Sequence, residues 1–328
     1  MMVTNQSSST KRHGPVLGYS SLGLPLWGAW EAERESVLDA VLGDYGYDLL
    51  ELHIETTTHS RAPGTPVLDD AALEMLRAIA AGVRKRRGRL VLGLGARFLL
   101  GPTKHEPSLI HRDPAARALR LRVLEEAVDV AADLDARALI FLSGTGLTTT
   151  SQPKWVGPEW ARLESGIERL LVRAEARRVV LAPEAHSAHL FSTIADVLHL
   201  QHRFPSPYLG FTADTAHQTV TEGQPLRDLY RQVPARITHL QLDNVRSLPA
   251  KTGMSLEKKP LDLPGLVDVA GAISGLLERG YSGAISVEFL RHDYRDVDPL
   301  AYCERIARWL KKVLLANKPI SNERAVDS

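Results

Sequence analysis

Eight short apolar runs recur along this chain at intervals wide enough to hold a helix, and that alternation constrains its fold more than any other feature. The runs are VLGYS (16–20), LLELHI (49–54), RLVLGLG (89–95), ALIFLSG (138–144), VVLAPEA (179–185), LGFTAD (209–214), ITHLQLD (237–243) and AISVEF (284–289). Each is nearly continuous in apolar residues, as strands of a parallel sheet covered by helices must be. Between them lie helical patterns such as EAERESVLDAVLGDYG, AALEMLRAIAAGVRKR and PAARALRLRVLEEAVDVAADLD. Asp113 followed by Pro114 marks a helix start, with the proline at the first helical position. Eight such units predict an α/β chain folded as a single (β/α)8 TIM barrel, with an open doubly wound sheet as the structural alternative. No stretch rich in Gly, Ser or Pro splits the chain. The barrel is expected over 15–315, between a disordered leader at 1–14 and a flexible tail at 316–328.

Charge excludes some functions. The 40 basic residues balance 39 acidic ones, so no global field recruits nucleic acid or an anionic membrane. The most basic run, RKRRGR (84–89), falls in a helix-to-strand connection and reads as a solvated helix end on the face away from the site. No apolar run reaches the roughly 18 residues of a spanning helix. The single cysteine, Cys303, cannot form an internal disulfide, which fits a cytoplasmic location.

A barrel carries its chemistry where strands end. Eight of the twelve histidines, His53, His186 and His217 among them, fall near or after a predicted strand end, while His239 lies inside the seventh strand. The last four strands each carry an oxygen ligand near their ends: Glu184 in APEAH, Asp214 in TAD, Gln241 in HLQLD and Glu288 in ISVE. Strand alternation puts Ala182 on the face of Glu184, Thr212 on that of Asp214 and Ser286 on that of Glu288, leaving room for inward acidic groups. Converging carboxylates repel one another and lose hydration, and a divalent cation relieves both costs. An oxygen-only set suits Mn2+ or Mg2+ best; Zn2+ and Co2+ remain compatible.

From Val16 to Trp309 the chain resembles the xylose isomerase-like TIM barrels, the sugar phosphate isomerase and epimerase family. The strand-five glutamate, the DTAH of 214–217, the late GYSGAISVE and the helical DPAARALRLRVLEEAVDVAADLDARALIFLSG carry the resemblance. It implies that Glu184, Asp214, Gln241 and Glu288 hold one catalytic metal, that Glu184 and Glu288 move protons, and that His217 contacts substrate. A homo-oligomer is compatible with the family. Many members have histidine where this chain has Gln241, and glutamine there is similar to hydroxypyruvate isomerases and some 3-dehydroshikimate dehydratases. His239, two residues deeper on the same face, is the fallback ligand.

His53, Arg97, His186, His239 and Arg291 are the further candidate substrate contacts. The connection NVRSLPAKTGMSLEKKPLDLPG is read either as a lid whose Arg246, Lys251, Lys258 and Lys259 bind an anion, or as a solvated loop. The chemistry expected is proton abstraction next to a metal-bound carbonyl of a sugar or keto acid, giving an isomerase or epimerase. A β-hydroxyl would turn the same chemistry into a dehydratase. An endonuclease IV-like nuclease shares the DTAH stretch, but the Asp-x-His element it carries after strand seven is absent from DNVRSLP. A barrel that binds a metabolite without turning it over is the non-enzymatic alternative.

Overall fold

The structure is a computed structural model that describes residues 14–26, 31–54, 70–94, 105–146, 154–232, 236–250, 253–289 and 297–317. The eight apolar runs form the staves of one closed parallel barrel. They are β1 (Val16–Ser20), β2 (Leu49–His53), β3 (Arg89–Gly93), β4 (Ala136–Phe141), β5 (Val180–Ala185), β6 (Phe211–Asp214), β7 (Ile237–Leu242) and, eighth in the barrel, β10 (Ala284–Val287). The barrel order is β1-β10-β7-β6-β5-β4-β3-β2, so the strands bearing Glu184, Asp214 and Gln241, and the one that leads into Glu288, are consecutive neighbours.

Helices follow the strands: α1 (Glu31–Leu38), α2 (Asp70–Lys85), α3 (Pro114–Asp133), α4 (Pro158–Arg177), α5 (Ile194–Arg203), α6 (Thr215–Glu222), α7 (Leu226–Tyr230), α8 (Val269–Glu278) and α9 (Pro299–Ala316). Their starts are written locally. Asp113 caps α3 by accepting from Ala115 N, with Pro114 at the first position, and Asp298 with Pro299 does the same for α9 through Ala301 N. Because neither proline has an N–H to lose, the helix starts at no hydrogen-bonding cost.

Side-chain alternation divides each stave. Leu50, Leu52, Leu92, Leu139, Leu181, Leu240 and Ile285 belong to the large core between sheet and helices. Val16, Leu49, Val91, Ala138, Ala182 and Ala284 form a separate small core inside the barrel. Two residues further along the inward face, that apolar floor gives way to polar groups: Glu51 above Leu49, Glu184 above Ala182 and Ser286 above Ala284. The lower barrel is therefore a hydrophobic plug, and the upper barrel is a polar chamber.

The connection after β7 is not a plain loop. It forms an antiparallel hairpin, β8 (Asn244–Ala250) with β9 (Gly253–Lys259), which pairs Val245 with Lys258 and Asn244 with Lys259. Asn244 anchors its base, donating through Nδ2 to Leu263 O (2.8 Å) and Pro260 O (3.3 Å). The basic run of 84–89 is partly neutralised at the end of α2, where Lys85 meets Glu35 and Arg86 meets both Glu35 and Asp39. No helix among the described residues is long and apolar enough to cross a membrane.

Candidate metal centre and active site

DTAH is a strand end and a helix start at once. Asp214 closes β6 and is the N-cap of α6, its Oδ1 accepting from His217 N at 2.7 Å. One carboxylate oxygen is thus committed to the helix. The other, Oδ2, is buried and has no hydrogen-bond partner among the described residues. Gln241, the residue opposite Asp214 in the parallel register, repeats the pattern. Its Nε2 donates to Glu51 Oε1 at 2.8 Å, while its Oε1 is buried and has no partner among the described residues. Two adjacent strands therefore hold oxygen acceptors whose own residues are tied down on the other side.

Glu288 joins them at the end of β10, where its N–H donates to Leu242 O at 3.1 Å. Asp214, Asp243 and Glu288 bring carboxylate oxygens within 4.8 Å of one another. Glu184 lies on the neighbouring side, its Oε1 3.8 Å from His217 Nε2. Burial, then the negative charges of Glu288 and Asp214, push the Glu184 carboxyl well above its usual range. Burial likewise raises Asp214. Of the four residues expected as ligands, the structure gathers Asp214 and Glu288, with Gln241 opposite Asp214, and sets Glu184 in a neighbouring group with His186 and His217.

The His186 and His217 rings lie against each other at a tilt of 39°, with centroids 3.6 Å apart. His186 Nδ1 accepts from Ala188 N (3.1 Å) and His189 Nδ1 accepts from Gly144 N (3.0 Å). A neutral imidazole whose Nδ1 accepts must carry its proton on Nε2. Burial and the neighbouring His217, His189 and His105 rings lower the pKa of His186, which keeps it neutral. His186 and His189 are therefore fixed as Nε2–H donors. Although Glu184, His186 and His217 lie close enough to suggest a second ion, the His186 tautomer does not suit a metal ligand.

His53 and His239 go elsewhere. His53 Nε2 donates to Glu51 Oε1 and His239 Nε2 to Glu51 Oε2, each at 2.6 Å. Both rings are buried below the mouth, next to Glu51 instead of an open substrate space. Gly93 makes room for the His53 ring; a Cβ there would lie 2.7 Å from His53 Cε1. Burial raises the Glu51 carboxyl, but the charges and hydrogen bonds of His239 and His53 outweigh it and hold the group below the usual range. Arg97 and Arg291 lie outside the described residues.

Two site residues escaped sequence reasoning. Glu51 sits inside an apolar run, and its partners His239 and Gln241 are 188 and 190 residues away. Asp243 follows the inward alternation His239, Gln241, Asp243, and that spacing was the signal available. Of the four cations expected in the connecting segment, Lys258 reaches the carboxylates. Its Nζ contacts Asp243 Oδ2 and lies 3.3 Å from Glu288 Oε2. Arg246 pairs with Glu257 on the hairpin surface, and Lys251 lies outside the described residues.

With this geometry in hand, the comparisons are specific. The family model "Xylose isomerase-like TIM barrel" matches residues 40–313, and the chain belongs to that family. Among curated relatives, the inosose dehydratase of Lacticaseibacillus casei is 25% identical over 169 residues, covering 48% of this chain and 56% of that protein. The chain thus spans about half the length of the curated relatives it matches. An L-ribulose 3-epimerase structure superposes with a TM-score of 0.65 at 18% identity, covering 92% of this chain and 95% of the other. The IOLI protein, solved with a bound zinc atom, gives 0.65 at 16% identity, covering 93% and 100%. These structural likenesses are statements about the fold.

Proposed function

We propose that the chain is a divalent-metal-dependent isomerase or epimerase of a sugar or related hydroxy-carbonyl compound. The observation that carries this reading is the pair of buried oxygens without a partner among the described residues, Asp214 Oδ2 and Gln241 Oε1, on adjacent strands beside Glu288. An acceptor buried without a donor is costly, and two side by side among carboxylates fit a cation. Glu184, Asp214, Gln241 and Glu288 would hold the ion. The oxygen set is compatible with Mn2+ or Mg2+, and the zinc of the IOLI protein keeps Zn2+ in consideration. When bound, the ion would polarise the substrate carbonyl and stabilise negative charge on its oxygen.

The chain's own groups do the rest. Glu288 takes the proton from the carbon next to the carbonyl. Glu184 returns a proton to the neighbouring carbon or to the opposite face of the same one. His186 presents a neutral N–H donor beside Glu184, and His217, oriented by Ser187 Oγ at 2.9 Å from its Nδ1, holds a substrate hydroxyl. Glu51 is a positioning residue: by accepting from Gln241 Nε2 it fixes which way the amide faces, and His53 and His239 fix Glu51 in turn. Lys258 is a tethered counter-charge for Asp243 and Glu288.

The inosose dehydratase match supports a second reading, in which Glu184 gives its proton to a hydroxyl β to the carbonyl and water leaves. Product analysis by NMR separates the two. Mn2+-loaded protein is incubated with L-ribulose, D-tagatose and an inosose. A new epimer or isomer supports the first reading, loss of water supports the second, and no conversion of any related hydroxy-carbonyl compound defeats both.

A further inference from the structure

At the other end of the barrel, among the strand starts, lies a cavity of about 460 Å3. That is within the roughly 300–1,000 Å3 typical of small-molecule sites. Its inner part is apolar, formed by Val91, Ala138 and Ala284 of the barrel's interior core, and the two alanines keep it open. Arg137, at the start of β4, and Arg279, just after α8, also line it. The other polar side chains lining it are the hydroxyls of Thr238, Tyr281 and Ser282. Two of these are committed, since Thr238 Oγ1 donates to Phe211 O and Tyr281 OH to Ala284 O. None of the twelve lining residues is an aspartate or glutamate.

Arg137 also feels Arg89, the last residue of the basic run that the catalytic reading leaves unused. Burial and that like charge pull its guanidinium below its ordinary pKa. Neither Arg137 nor Arg279 has an ion-pair partner among the described residues, whereas Arg227 and Arg231 nearby share Glu278. Arg89 repels Arg137, and an anion held in the cavity beside Arg137 relieves that repulsion. Guanidinium groups present paired N–H donors that match phosphate and carboxylate oxygens.

We propose that this cavity at the barrel's N-terminal end binds a small organic anion, its apolar body against Ala138 and Ala284 and its phosphate or carboxylate on Arg137 and Arg279. The site is separate from the carboxylate centre, which lies at the opposite ends of the same strands. Its existence does not depend on the catalytic reading.

Calorimetric titration of the full chain with phenyl phosphate, benzoate and phenol tests it. The expected result is saturable binding of phenyl phosphate or benzoate, with whichever is tighter defining the head group, and much weaker binding of neutral phenol. In an R137Q/R279Q variant, loss of two charge-assisted contacts should weaken that binding roughly tenfold or more. Neither arginine has an ion pair to lose among the described residues, so the variant's thermal unfolding should match the wild type. Absence of saturable binding by either anion, equal affinity for phenol, or unchanged affinity in the variant would overturn the proposal.

Discussion

Replacing Glu51 with glutamine tests how the site is held from beneath. Glu51 Oε1 accepts from His53 and Gln241, and Oε2 accepts from His239. A glutamine has only one acceptor oxygen, so the orientation that keeps most bonds points it at His53 and Gln241 and turns the NH2 towards His239. His239 can answer by moving its proton to Nδ1, which has no hydrogen-bond partner among the described residues. The fold should therefore survive. What disappears is the negative charge beneath Gln241, and with it the charge assistance that makes such bonds about twice as strong as neutral ones. Changes of this kind around a metal's ligands weaken affinity about 10- to 100-fold, which is about 1.4 to 2.7 kcal/mol. Titration of Mn2+ into chelator-treated protein should show at least the lower figure for E51Q, with circular dichroism unchanged. Wild-type affinity in E51Q would refute the positioning role. Failure of the wild type itself to bind a divalent ion would remove the metal centre altogether.

Lys258→Met deprives Asp243 and Glu288 of their tethered cation. The metal-free protein should lose about 3 kcal/mol of stability, as when one partner of a buried pair is removed, while Mn2+ binds at least as tightly. Weaker Mn2+ binding in that variant would contradict the counter-charge role. Glu278, which accepts from Arg227, Arg231 and Ser274, has its pKa held down at about 2 from 4.5. A depressed carboxylate stabilises the fold above its unfolded value and loses that contribution as pH falls towards the folded one. The melting temperature of E278Q should thus lie slightly below wild type near neutral pH, with the gap closing as pH falls from 4.5 towards about 2. A gap that is constant across that range would exclude the ion pairs as its cause.

The barrel was legible because each buried stave must be apolar along its length, and the eight runs coincide with the observed strands to within a few residues. The strand-end oxygens were legible because inward alternation turns Glu184, Asp214, Gln241 and Glu288 towards the upper barrel. The hairpin of β8 and β9 was not. It stands outside the barrel wall, carries Pro249 and Gly253, and is rich in charge, so the apolar pattern that marks the other strands is missing. Glu51 was hidden for a different reason. Of the three donors to this buried carboxylate, His239 and Gln241 fold in from β7, and nothing local to LLELH announces those two. His53 and His239 were expected at the substrate for the same lack of that partner.

The central claim is that Glu184 and Glu288 move a proton next to a carbonyl held at this centre. Its most direct test is solvent exchange: Mn2+-loaded protein in D2O with L-ribulose, D-tagatose and an inosose, followed by NMR. The account predicts Mn2+-dependent deuterium uptake at the carbon adjacent to the carbonyl of a substrate. That uptake should be abolished in E288Q, with the fold intact. Exchange that continues undiminished in E288Q, or in protein stripped of divalent metal, would contradict it.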